Sequence, residues 1–155
     1  TGLYNASFIQ GRMQEEIKRA VTYQRPCAFI ILNIDNFKKY REAFGALAGE
    51  ATLKKVATLI KDSVTDIDRV ARFGENDFAV LLPEKNKRQA AEIAENMRKK
   101  IEFSFSEEAD VSKRITVSGG VSENPLDGID ADEITKKAKD CLALAKTKGK
   151  NTVVK

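Results

Sequence analysis

The sequence predicts an α+β domain, with a central, mostly antiparallel sheet flanked by helices, and three observations predict it. Short β-rich runs alternate with longer runs of helical periodicity, in the order helix, strand, helix, hairpin, helix, strand, helix, strand. Two of those strands, Val70 to Phe73 and Phe78 to Leu82, are separated by a short polar turn containing Gly74, Glu75 and Asn76, so they must pair antiparallel. A chain of 155 residues, 42% hydrophobic and 32% charged, is long enough and apolar enough to bury one core, so residues 1–155 are expected to form a single domain.

The elements follow in order. Phe8, Met13, Ile17 and Val21 recur at near-helical spacing up to Gln24, and Arg25-Pro26 ends that helix because the residue before proline disfavours helical angles. Cys27 to Leu32 is an unbroken apolar run that reads as a buried strand and leads through Asn33, Ile34, Asp35 and Asn36 into a helix. Asn33 and Asp35 share a face if strand geometry persists that far. Lys39 to Ser63 is helical with a break near Gly45, its buried stripe formed by Phe44, Leu53, Val56, Leu59 and Ile60. After the hairpin, Asn86 to Phe103 is a helix lined by Ala90, Ile93, Ala94, Met97 and Ile101. Ser104 to Asp110 is an acidic loop expected to be mobile. Arg114 to Ser122 is β-branched and alternating; its Gly119-Gly120 pair lacks the Lys-Ser or Lys-Thr of a phosphate loop and predicts a close backbone approach or a bulge. Asn124 to Asp132 is turn-rich, Ile134 to Lys148 is a helix stopped by Gly149, and Asn151 to Val154 is a last short strand.

Composition removes several function classes. No apolar run approaches the roughly 20 residues that span a bilayer, and no signal peptide is visible. Cys27 and Cys141 are far apart and there is no histidine, which excludes a Cys/His zinc site and a histidine base. Two lone cysteines suit a reducing cytoplasm, the expected location, with any membrane anchor left to a parent protein. The net charge is +4, from 27 basic and 23 acidic residues mixed along helical faces, which reads as solvated surface.

The hairpin carries the specific signal. A tight turn gathers its polar side chains into one small volume, where acids and amides can meet a metal or a phosphate, although many hairpins end in a polar tip with no chemistry. Arg72-Phe-Gly-Glu-Asn-Asp-Phe78, followed by Ala-Val-Leu-Leu-Pro83, resembles the signature of GGDEF domains: Arg, aromatic, Gly, Gly, Asp or Glu, Glu, Phe. Thr1-Gly-Leu-Tyr-Asn5, Asn33-Ile-Asp-Asn-Phe-Lys38, Thr116-Val-Ser-Gly-Gly-Val121 and Ala145-Lys-Thr-Lys-Gly-Lys-Asn151 resemble other family segments and occur in family order. The resemblance covers nearly the whole chain and implies a ferredoxin-like, nucleotide-cyclase palm. The family joins two GTP molecules into cyclic di-GMP with the help of magnesium.

Carried over position by position, the resemblance implies a degenerate site. Asn33 stands where active members have a metal-ligating Asp, Ile34 supplies a backbone carbonyl beside it, and Asp77 replaces the final Glu of the signature. Glu75 replaces the second Gly, and Asn76 replaces the first acid, so the signature reads Gly74-Glu75-Asn76-Asp77-Phe78. Phe37, Lys38 and Lys146 match nucleotide-binding positions, and Lys150 replaces an Arg that touches phosphate. Arg41 and Glu50 stand where the family reads guanine with Asn and Asp; Arg offers donors only, and both also read as exposed helix charges. The inhibitory Arg-x-x-Asp site survives as Thr65 and Asp68, and Thr lacks the guanidinium fork.

An amide brings no negative charge to magnesium, and Glu75 adds bulk and charge beside the phosphates. The implied function is a catalytically inactive GGDEF domain, serving as a regulatory, nucleotide-sensing or protein-interaction module and requiring no cofactor, with magnesium and GTP at most residual ligands. The alternative is an active cyclase with an atypical metal site of Asp35, Asp77 and Glu75. A third reading, a nucleic-acid-binding module, lacks the paired aromatics on which bases stack. The expected partners are adjacent signalling domains of a longer protein, a cyclic di-GMP phosphodiesterase domain among them, and a second copy of the domain. No contact with nucleic acid or membrane is expected.

Overall fold

The computed structural model describes residues 2–155. Its elements are α1 (Ala6–Tyr23), β1 (Cys27–Ile34), α2 (Phe37–Phe44), α3 (Ala46–Lys61), β2 (Arg69–Arg72), β3 (Asp77–Pro83), α4 (Lys87–Phe105), β4 (Val117–Asn124), α5 (Ala131–Thr147) and β5 (Val153–Val154). The strands form one sheet in the order β2-β3-β1-β4-β5. β1 lies at its centre, antiparallel to β3 and to β4, and β2 is antiparallel to β3. β5 pairs parallel with β4. The expected α+β architecture and element order are therefore present.

β1 is apolar on both faces because helices cover both. Ala28, Ile30, Leu32 and Ile34 pack with Leu53, Val56 and Ile60 of α3 and Ala90, Ala94, Met97 and Ile101 of α4. Phe29 and Ile31 point the other way, against Ile9, Met13 and Ile17 of α1 and Ile134 and Ala138 of α5. Burying each such large side chain contributes roughly 1.5–3 kcal/mol, so the central strand is the most firmly held element.

Gly120 shows why the glycine pair is needed. A Cβ built there would lie 2.0 Å from the Ala138 carbonyl oxygen, so α5 sits directly on the β4 backbone. A Cβ on Gly119 would lie 2.7 Å from Leu32 Cδ2. The close-approach reading holds.

Helix ends follow local chemistry. Asn5 caps α1 through Phe8 N, and Asn86 and Gln89 form a reciprocal capping box at α4. Gly45, at φ 92°, separates α2 from α3 at the expected break. Other expectations need correction. Phe8 and Val21 do not face the core: they are exposed, and Ile9, Met13, Ile17 and Ala20 form the buried stripe. Phe8 stacks instead on Tyr4, with ring centroids 4.0 Å apart. Phe105, expected within the acidic loop, is the buried last residue of α4.

Candidate functional site

The hairpin tip meets the end of β1 and the start of α2. In the β1–β3 register Asn33 lies opposite Asp77. The turn closes through Phe73 N donating to Asp77 O at 2.8 Å. Beyond the ladder, Ile34 N donates to Asn76 O at 3.1 Å, and Asn76 Nδ2 donates back to Ile34 O at 3.3 Å. Asn33 Nδ2 donates to Asp77 Oδ1 at 2.5 Å. A carbonyl and a carboxylate only accept, so both amides must present their nitrogens. Asn33, Ile34, Asn76 and Asp77 are thus brought together as expected. Gly74 lies close beside them: a Cβ there would stand 2.8 Å from Asp77 Oδ2 and would push that carboxylate aside.

At the mouth of the cleft Glu75 forms an ion pair with Arg41 of α2, and Arg72 Nη2 donates to the Glu75 carbonyl. Arg41 also lies over the Phe37 ring, 5.7 Å from its centroid. The Arg41 stem crosses the small surface of Gly49, where a Cβ would stand 3.4 Å from its Cγ. Glu50 is exposed on the following residue, and Lys38 is exposed near the start of α2.

β1 ends at Ile34 and Asp35 begins the turn, but Ser118, opposite Asn33 in the β1–β4 register, hydrogen-bonds Asp35, so the two residues share that neighbour. Asp35 is buried at 4% exposure. Its Oδ1 accepts from Ser118 at 2.7 Å and from Lys146 Nζ at 2.6 Å. Its Oδ2 accepts from Thr116 Oγ1 at 2.7 Å and from the Asn151 backbone at 3.0 Å. Burial pushes this carboxyl's pKa up, but the hydrogen bonds from Lys146, Thr116 and Ser118 outweigh it and leave the pKa below the usual carboxylate value. Lys150 Nζ donates to Asn36 Oδ1 at 2.6 Å. Lys146 and Lys150 are therefore both bonded to the β1–α2 turn.

Asp35, Asp77 and Glu75, expected in the alternative reading to share a metal, are drawn to different partners. Among the described residues no three His, Cys, Asp or Glu side chains converge on a point where one ion would sit. A hard cation prefers anionic oxygens, whereas Asn33 and Asn76 bring no charge and take up one lone pair each of Asp77 Oδ1 and Ile34 O with their N–H groups. As arranged, this donor set does not fit a divalent pair.

Thr65 and Asp68 lie apart from the cleft. Thr65 N and Oγ1 donate to Asp68 Oδ2 at 2.9 and 3.0 Å. Together with Gly2, Leu3, Tyr4, Lys61 and Arg69 they line a cavity of about 330 Å³. Sequence reasoning missed Asn151 as a functional junction. It gives its backbone N–H to Asp35 and its side-chain amide to Glu102, and it accepts from Arg98 Nη1 at 2.9 Å. Only its place in a matched C-terminal segment marked it.

A family model described as "Diguanylate cyclase, GGDEF domain" matches residues 1–152. The chain is 30% identical over 157 residues to the response regulator PleD of Caulobacter vibrioides, covering 99% of this chain and 34% of PleD. It is 30% identical over 154 residues to MucR of Pseudomonas aeruginosa, a bifunctional diguanylate cyclase/cyclic di-GMP phosphodiesterase, covering 97% of this chain and 22% of MucR. The chain thus spans 34% and 22% of the lengths of these two relatives. In three dimensions it resembles the active GGEEF domain of a diguanylate cyclase from Vibrio cholerae, with TM-score 0.87 and 25% identity, covering 98% of this chain and 96% of that one. It also resembles the FimX GGDEF domain from Pseudomonas aeruginosa, with TM-score 0.89 and 26% identity, covering 99% of this chain and 94% of that one.

Proposed function

The chain belongs to the GGDEF domain family of cyclic di-GMP signalling, and from that premise we propose that this copy is a non-catalytic regulatory module. The observation that carries this reading is the state of the cleft: the Glu75 carboxylate is paired with Arg41 across its mouth, and Asp77 is the carboxylate left at the metal position, bonded to Asn33. The Vibrio cholerae relative is described as active with a Gly-Gly-Glu-Glu-Phe signature, where this chain has Gly74-Glu75-Asn76-Asp77-Phe78.

Cyclisation requires a ribose 3′-oxygen to attack an α-phosphate while cations hold the phosphates and take up developing charge. Amides at positions 33 and 76 remove two negative charges from the cation site, and each tenfold loss in rate needs only about 1.4 kcal/mol. Glu75 places a negative charge where a phosphate would approach. Lys146 and Lys150 already have partners in Asp35 and Asn36, so a triphosphate must compete for them. Residual nucleotide binding through Phe37, Lys38, Arg41, Glu50, Gly74, Lys146 and Lys150 is weak in this account.

The regulatory output is transmitted to adjacent domains of a longer protein, a cyclic di-GMP phosphodiesterase domain being one candidate, since MucR joins the two activities by name. Self-association with a second copy is a further route. The cavity at Thr65 and Asp68 has threonine where an inhibitory site has its arginine, and its Arg69 is turned onto the Asp66 and Asp68 carbonyls, so it binds cyclic di-GMP poorly or not at all.

Incubation with GTP and either magnesium or manganese, followed by chromatography for cyclic di-GMP, tests the proposal. The chain should give no product above a protein-free blank. The variant carrying Asn33→Asp, Glu75→Gly, Asn76→Asp and Asp77→Glu serves as the comparator in the same assay. Sustained turnover by the unaltered chain overturns the reading.

A further inference from the structure

We propose that the side-chain amides of Asn33 and Asn76 take the place of a cation at the junction of β1 and the hairpin, holding the hairpin tip against β1 without metal. This rests on the reading of the cleft as non-catalytic and says what holds it together instead. The junction brings together groups that cannot satisfy one another. The Asp77 carboxylate and the Ile34 carbonyl both present lone pairs, and Asp77 is only half-buried, at the mouth of a sheet whose centre is fully apolar. Such oxygens need a positive or proton-bearing partner.

Each amide supplies that partner to a different oxygen. Asn33 reaches Asp77 across the ladder, from the residue directly opposite it. Asn76 reaches Ile34 O from the hairpin tip and at the same time accepts Ile34 N–H through its own backbone, so the loop grips one residue of β1 twice. Neither amide nitrogen has a choice of orientation, since both acceptors lack protons to give. A metal bridging these same oxygens would have to compete with both amides for their lone pairs, and the proton-bearing nitrogens beside it would repel it. The Arg41–Glu75 pair then ties the outer end of the same loop to α2. The hairpin is fastened at its base and at its tip by the chain's own groups.

Manganese is both a magnesium substitute and a paramagnetic probe, and it tests this directly. In the unaltered chain, side-chain amide resonances of Asn33 and Asn76 should be resolved, protected from solvent exchange, and no more broadened by millimolar manganese than amides on α4. Selective loss of those resonances at substoichiometric manganese overturns the proposal. A second measurement uses the variant Asn33→Asp plus Asn76→Asp. With chelator present it should melt roughly 3–6 °C below the unaltered chain, or remain unfolded, and manganese should restore it. Equal melting temperatures of the two proteins in chelator would show that the amides fasten nothing. Neither readout involves turnover. Cyclic di-GMP synthesis with unbroadened amides would defeat the functional reading alone, and selective broadening without synthesis would defeat this one alone.

Discussion

Asp35 matches a family position by sequence, but its surroundings give it a different weight. It ties the β1–α2 turn to Thr116, Ser118, Lys146 and Asn151, joining β4, α5 and the C-terminal segment. Removing one partner of a buried, charge-assisted set leaves the others unpaired, so Asp35→Asn should cost roughly 2–4 kcal/mol in urea unfolding. Its folded pKa lies below the unfolded value. Its contribution is therefore fully present above the unfolded value and is lost as pH falls through the folded one, so the gap between Asp35→Asn and the parent should narrow in acid. Cys27 behaves oppositely. Burial first, then the Glu16 charge, pushes its thiol up to about 12. It should resist iodoacetamide in the folded protein at mildly alkaline pH and react on unfolding; rapid native-state alkylation would contradict its placement. At the cleft mouth, Glu75→Gln removes a charge and frees Arg41. Exposed pairs contribute at most about 1 kcal/mol, so inorganic tripolyphosphate should bind several-fold tighter to this variant at low salt, and the gain should shrink as salt is added. The Arg41–Glu75 pair was invisible to the sequence because nothing in periodicity links positions on α2 and a hairpin tip. Only the shared neighbourhood of the nucleotide cleft, implied by resemblance, hinted at it.

At the scale of elements, the signal was strongest where one physical demand dominated. β1 declared itself by an unbroken apolar run, because helices cover both of its faces. The hairpin declared itself by two apolar runs around a short polar turn, and the observed strands lie within a residue of those expected. Helix α1 was located correctly, but its outward residues were misjudged: Phe8 is apolar yet satisfies itself on Tyr4, outside the core. At Asp35 the strand has given way to a turn, yet Ser118, the partner of Asn33 across the ladder, still reaches its carboxylate. The glycine pair of β4 signals a close approach in the sequence but not which element approaches. The answer is α5, and Gly120→Ala should destabilise the fold by about 3 kcal/mol or more, since the new methyl would meet helix backbone that cannot swing aside. Thermal unfolding measures this; a loss within about 0.5 kcal/mol would mean α5 is free to shift away from the sheet.

For the whole molecule, one sheet with helices on both faces sets the hairpin tip, the β1–α2 turn, Lys146 and Lys150 together at one end of β1. No helix among the described residues is long and apolar enough to cross a membrane. The architecture is legible because the motif order runs through nearly the entire chain. What the sequence left unsaid is how the substituted residues use that space. Two amides bond to Asp77 and to the Ile34 carbonyl, and an ion pair joins Glu75 to Arg41. The most direct measurement is a crystal structure after soaking with magnesium and a non-hydrolysable GTP analogue. The account predicts Asn33 still bonded to Asp77, Asn76 still bonded to Ile34, and no cation between them. Two ordered cations bridging intact phosphates to Asp77 and the Ile34 carbonyl would contradict it.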